Sequence, residues 1–168
     1  MILVRGINHK TQHCGCGVDA AGADRIAALV GSICTRHAIE LIAEESSAEA
    51  CALWRVPNSI CAVWAQEHDM QHLYCDPTSE ERAHLGIPTQ MELVNQVKAE
   101  LGVSIIMGAE NEAHYNRAAA QYSPVREQFW LGRLAEHRNK RILFICGSDH
   151  VETFNALLHK NGWQVQST

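Results

Sequence analysis

No stretch of this sequence approaches the ~18 consecutive apolar residues that would cross a membrane, and Met1 leads into an apolar run without the basic region and cleavage site of an export signal. These absences predict a cytoplasmic protein with no membrane partner. Positive charge is not in excess either: 14 Lys+Arg face 19 Asp+Glu, and only Arg138, Lys140 and Arg141 stand close together. Nucleic acid, which is bound through clustered cations, is therefore not the expected partner. A structural zinc site lacks its second half, because Cys14 and Cys16 beside His13 have no second pair at suitable spacing. The cysteines are odd in number, at seven, and several fall in apolar runs where a free thiol packs as a small hydrophobe.

What is present is enough apolar material, 46% of 168 residues, to build one core. The expected organisation is a single α/β domain over 1–168, with a mostly parallel sheet, flanking helices and a polar site at the carboxyl ends of the strands. Met1 to Ile7 reads as a buried strand that stops at Gly6-Ile7-Asn8-His9. Val18 to Arg36 carries Ile26, Leu29, Val30 and Ile33 at helical spacing and predicts a crossover helix. Ile39 to Ala43 predicts a second strand breaking off at Glu44 and Glu45, and Gln71 to Cys75 a third that exits at Asp76-Pro77. Between them, two helical pieces are divided by Pro57-Asn58. The segment 78–122 reads as a more polar helical insertion, with Val103 to Met107 as a short strand or buried turn. Val125 to His137 predicts a helix behind Ser123-Pro124. Ile142 to Cys146 predicts the cleanest buried strand, followed by Gly147-Ser148-Asp149-His150, a helix to Lys160 and a last strand near Trp163 to Gln166. Strands alternating with helices imply right-handed crossovers and a ligand site beyond the carboxyl ends.

The informative motif is Gly-x-x-His at two strand ends, Gly6 to His9 and Gly147 to His150. With Glu44 and Glu45 it offers imidazoles and carboxylates, the donor set that suits Mn, Co, Ni or Zn and can activate a bound water. Loop histidines commonly do no more than bond to backbone, and consecutive glutamates also suit the first turn of a helix. Side chains alternate along a strand, so Glu44 or Glu45, not necessarily both, is the expected ligand or base. Arg126 and Glu127 at a helix start can hold an oxyanion or position a carboxylate, or form a solvated surface pair. Asp76, with Arg82, suits either a supporting acid or an Asp-Pro turn, and Asp149 lies inside the late motif. Cys146 and Cys75 as nucleophiles would need a base and an electropositive setting, and Cys146 reads as buried and inert.

Together, Gly6-x-x-His9, Glu44-Glu45, Arg126-Glu127 and the stretch Leu143 to His150 resemble the TraB/PrgY and Tiki superfamily, which includes erythromycin-esterase-like and ChaN-like proteins. The resemblance extends through Glu152 to Leu158 and Lys160-Asn161-Gly162-Trp163. It implies an α/β fold with a polar cleft and hydrolysis of peptide or ester bonds. By position it implies His9, His150 and Glu44 or Glu45 as metal ligands or base, and Arg126 at the oxyanion. Three functions follow as expectations. The first is a metal-dependent hydrolase of a small-molecule or peptide substrate. The second is a small-molecule or haem-binding module of the same fold. The third is a homo-oligomeric protein with a silent site and exposed Trp and Met residues at its interface.

Overall fold

The computed structural model describes residues 1–8, 20–53 and 55–166. Two compact units are distinguished, one formed by Met1–Asp76 with Phe129–Thr168 and the other by Pro77–Gln128.

The first unit is built on five parallel strands, β1 (Ile2–Ile7), β2 (Leu41–Glu44), β3 (Gln71–Tyr74), β4 (Ile142–Gly147) and β5 (Val165–Gln166). Their spatial order is β3-β2-β4-β1-β5, and every pairing is parallel, with Ile2 opposite Ile142 and Leu41 opposite both Ile142 and Gln71. This is the expected α/β class. The central strands β2 and β4 are short, mostly apolar runs buried on both faces, as a parallel sheet covered by helices requires; every residue of both is buried.

Alternation sends Leu3, Ile7, Ile42, Leu143 and Ile145 to one face. There they meet Ile26, Val30 and Ile33 of α1 (Ala20–His37) and Ile60, Cys61 and Ala65 of α3 (Ile60–Glu67), which follows the short α2 (Ala48–Leu53). Ile2, Val4, Leu41, Ala43, Phe144 and Cys146 go to the other face. They pack on Trp130, Leu131 and Leu134 near the end of a helix over Ser123–Leu134, and on Phe154 and Leu158 of a helix over Val151–Lys160. At roughly 2 kcal/mol for each large apolar side chain buried, these two clusters are the main source of cohesion.

The connections leaving β1 and β2 run over the α1/α3 face, whereas the connection leaving β4 runs over the opposite one. Because β4 lies between β1 and β2, crossovers diverge on either side of it at the carboxyl edge.

The second unit is helical, with α4 (Ser79–Leu85), α5 (Gln90–Leu101), α6 (Ala109–Ala120) and the first half of α7 (Ser123–Leu134). Thr78 and Thr89 each close a capping box with Glu81 and Glu92, and Gly86 and Gly102 end their helices in the left-handed conformation at φ 67° and 65°. Leu93, Val97 and Ala118 form its small core. Val103 to Met107 is neither strand nor buried turn: it is irregular, and Ile105 and Met107 are exposed. A residue run this short, flanked by Gly102 and Gly108, finds no strand partner to hold it extended. The helix over Val151–Lys160 is α8.

Candidate functional site

Glu44 is the last residue of β2 and Glu45 the first beyond it. Strand alternation therefore turns them to opposite faces of the sheet. Glu44 is fully buried and Glu45 is 4% exposed, so each carboxylate needs its own hydrogen-bond donors.

On the α1/α3 face, Glu44 Oε1 accepts from Ser59 Oγ and meets His72 Nε2 at 2.7 Å. Ser59 is the N-cap of α3, where its Oγ also accepts from Ala62 N at 3.0 Å. His72 and Tyr74 share this face of β3, with ring centroids 4.5 Å apart. Tyr74 Oη accepts from Ser59 N at 3.2 Å and lies 3.6 Å from Cys51 Sγ. Cys61 completes the surroundings, its thiol pushed well above its ordinary range by burial and by the neighbouring Glu44 carboxylate. This cluster ties β2, β3 and α3 together.

On the other face, Glu45 Oε2 accepts from Gly147 N at 2.8 Å, and its Oε1 lies 3.4 Å from His150 Nε2. The main chain of Glu45 continues the ladder to β4, its N donating to Ile145 O at 2.8 Å. His150 ends a 3-10 turn (Ser148–His150) that leads into α8, and it is 7% exposed. The edge of its ring meets Trp130 at 4.9 Å between centroids, and its carbonyl accepts from Thr153 Oγ1 at 3.2 Å. Trp130 in turn donates Nε1–H to Asp76 Oδ1 at 3.1 Å. Ser148 and Asp149 are exposed beside this pair.

Gly6 explains why the late motif sits so close to β1. A Cβ there would stand 2.7 Å from Val151 Cγ2 and 2.9 Å from Ser148 Cα, so only glycine lets the turn lie against the strand.

Of the residues read from sequence, Glu45 and His150 are brought together, with Asp76 joined to the same aromatic neighbour. Glu44 is not part of this group, because the one-residue step along the strand turns it to the other face. His9 lies outside the described residues, as do Cys14 and Cys16. Arg126 and Glu127 belong to the second unit, where Glu127 is buried and Arg126 N donates to Tyr122 O at 3.1 Å. Arg82 in that unit donates to the carbonyls of Pro77 and Pro88 at 3.3 and 3.4 Å, which fixes the turn around α4. Cys146 is fully buried, and burial pushes the thiol of Cys75 well up, so neither is an activated nucleophile.

Sequence reasoning missed Ser59, His72, Tyr74 and Trp130. Two signals pointed to the first three. Ser59 directly follows Pro57-Asn58 and precedes an apolar helix, as a cap does. In Gln71-His72-Leu73-Tyr74 the alternation puts His72 and Tyr74 on one face.

As a test of the metal expectation, no group of three His, Cys, Asp or Glu side chains is placed to hold an ion among the described residues. Glu45 and His150 have the right donor types and are adjacent, which makes two positions of such a set. No helix among the described residues is long and apolar enough to cross a membrane. Compared with known proteins, the chain matches no protein family, no curated protein and no solved structure.

Proposed function

We propose that this chain is a hydrolase of ester or amide bonds whose working pair is Glu45 and His150. The observation that carries the reading is the Glu45 carboxylate, which receives the Gly147 N–H on one oxygen and faces His150 Nε2 with the other. It does so at the carboxyl edge where crossovers diverge, the place at which parallel α/β sheets carry their ligands.

A carboxylate anchored by a backbone N–H fixes the orientation of an imidazole and stabilises its protonated form. His150 then takes a proton from water as the water oxygen attacks the carbonyl carbon. It returns that proton to the leaving alcohol or amine as the C–O or C–N bond breaks. Trp130 limits rotation of the ring, and the Gly147 contact holds Glu45 in place. A divalent ion of the Mn, Co, Ni or Zn class, when bound, would acidify a coordinated water. Glu45 and His150 would hold it, and His9 is the residue proposed to complete the set. The motif resemblance to the TraB/PrgY and Tiki superfamily supports the same assignment of His9 and His150, while Glu44 drops out of it.

The test combines calorimetry with Mn, Co, Ni and Zn on chelator-stripped protein and turnover of ester and peptide substrates, for wild type, His9→Ala, Glu45→Gln and His150→Ala. Metal binding lost in all three variants, together with lost turnover, supports the metal form. Turnover that needs no metal yet is lost in Glu45→Gln and His150→Ala supports the acid–base form. Wild-type protein without turnover under either condition overturns the reading.

A further inference from the structure

We infer that Asp76 is a positioning residue for the Glu45 and His150 pair: its carboxylate receives the indole N–H of Trp130, which lies against His150, and its main chain anchors the segment that carries Glu45. The role rests on the hydrolase reading, although the placement of the His150 ring is measured without turnover.

Asp76 is the second residue beyond β3. Because the sheet is parallel and β3, β2 and β4 are neighbours, Asp76, Glu45 and His150 leave three adjacent strands at the same edge. The main-chain N of Asp76 donates to Ser46 O at 3.0 Å, and Ser46 is buried and directly follows Glu45. Its Oδ1 accepts from Trp130 Nε1 at 3.1 Å. One residue thus touches the segment behind the carboxylate and the ring beside the imidazole.

Trp130 needs such a tie. It is fully buried and packs on Phe144 and Phe154, each 5.4 Å away between ring centroids. Apolar contact has no direction, and rotation of an aromatic ring about χ2 is broad and roughly two-fold. The two phenyl rings therefore fix where the indole lies better than which edge it turns to His150. The hydrogen bond makes that choice, because a buried indole N–H requires an acceptor and only one orientation points it at Asp76. His150 meets this ring at 4.9 Å and 73°. The choice matters because His150 Nε2 stands 3.4 Å from Glu45 Oε1, beyond the usual N–H···O separation of about 2.9 to 3.0 Å. At that distance a small displacement of the imidazole makes or breaks the bond on which its protonated form depends.

The experiment records the Trp130 Nε1–H and His150 ring resonances by NMR at a single pH, with kcat and KM on ester and peptide substrates and with urea unfolding. Wild type is compared with Asp76→Ala, Asp76→Asn, Trp130→Phe and the double variant Asp76→Ala/Trp130→Phe. In Asp76→Ala the Trp130 N–H signal should move upfield and the His150 signals should shift. Its kcat should fall by about tenfold with KM within about twofold of wild type, because a misplaced base costs rate and not substrate binding. Asp76→Asn loses the charge but keeps an acceptor oxygen for the indole, and should restore both readouts to near wild type. Trp130→Phe should lose kcat to the same extent, and adding Asp76→Ala to it should move neither kcat nor His150 further, since residues acting in series are not additive. Asp76→Ala with His150 signals and kcat as in wild type overturns the role, even where its urea midpoint has fallen. Should Asp76→Ala not fold, Trp130→Phe with wild-type kcat overturns it instead. If His150 responds to Asp76→Ala but no form of the protein turns over an ester or amide, the positioning stands and the hydrolase reading falls. If turnover is present and neither kcat nor His150 responds, the reverse holds.

Discussion

The two consecutive glutamates at the end of β2 occupy opposite environments, and their difference separates a structural clasp from a working pair. Glu44 is surrounded by groups from β3 and α3: the Ser59 hydroxyl, His72 and the Cys61 thiol. Its carboxylate ties β2 to the later elements α3 and β3. Glu45 accepts from the Gly147 backbone N–H and faces the His150 imidazole across 3.4 Å, next to the exposed Ser148 and Asp149. Each carboxylate is matched to a histidine. One pair lies within the packing of the sheet edge, and the other lies where the crossovers diverge.

Substitutions can break this contrast. The largest expected effect is on Glu45→Gln, which keeps an oxygen for the Gly147 N–H but loses the charge that supports His150. Turnover should fall by about 10²-fold or more, the scale of a lost acid–base contribution, with little change in the urea midpoint. Equal turnover in the variant would end the assignment of Glu45. Glu44→Ala should behave in the opposite sense. Removing a buried carboxylate strands the hydroxyl of Ser59 and the ring of His72, at about 3 kcal/mol of stability, read from urea unfolding. Per folded molecule its turnover should stay within about threefold of wild type, a barrier change of under about 1 kcal/mol.

Gly6→Ala comes next, since its methyl would meet the Ser148 backbone and Val151. A loss of about 2 kcal/mol is expected from overpacking, together with displacement of the His150 turn. A crystal structure of the variant with that turn unmoved would contradict it.

Around the Glu44 clasp, burial lifts the Cys34 thiol from near 9.0 to about 11 and pushes the Cys61 thiol well above its ordinary range. A thiol with a raised folded value contributes stability that is complete below pH 9 and is lost as pH rises toward 11. Urea midpoints should therefore fall across that window, less steeply in Cys34→Ala. A flat profile in wild type would refute the shift. The smallest effect belongs to Trp130→Phe, which keeps the ring contact with His150 but removes the hydrogen bond to Asp76, for about 1 kcal/mol.

Much of the fold was legible because its strands are short apolar runs and β4 has no polar interruption. The site was legible in part. Gly147 to His150 stood out because a glycine turn after a buried strand has few other uses, and Gly6 is now explained by the turn pressed against it. Which glutamate faced His150 was not legible, since a strand boundary uncertain by one residue exchanges the two faces. The partners of Glu44 were hidden by distance along the chain: Ser59 is 15 residues away and His72 is 28. Only the register of β2 against β3 brings them into reach. Ile105 and Met107 misled in the other direction, because apolar residues in sequence do not state whether they will find cover.

The position of β4 also governs how the sheet can assemble. This strand separates β1 from β2 and pairs with both, Ile142 lying opposite Ile2 and Leu41. During synthesis the first three strands emerge well before it, leaving β1 without this neighbour until the helices of the second unit have been made. Contacts of such sequence separation are slow to form and leave apolar edges exposed meanwhile. Folding of the first unit must therefore wait for its central strand instead of growing outward from β1.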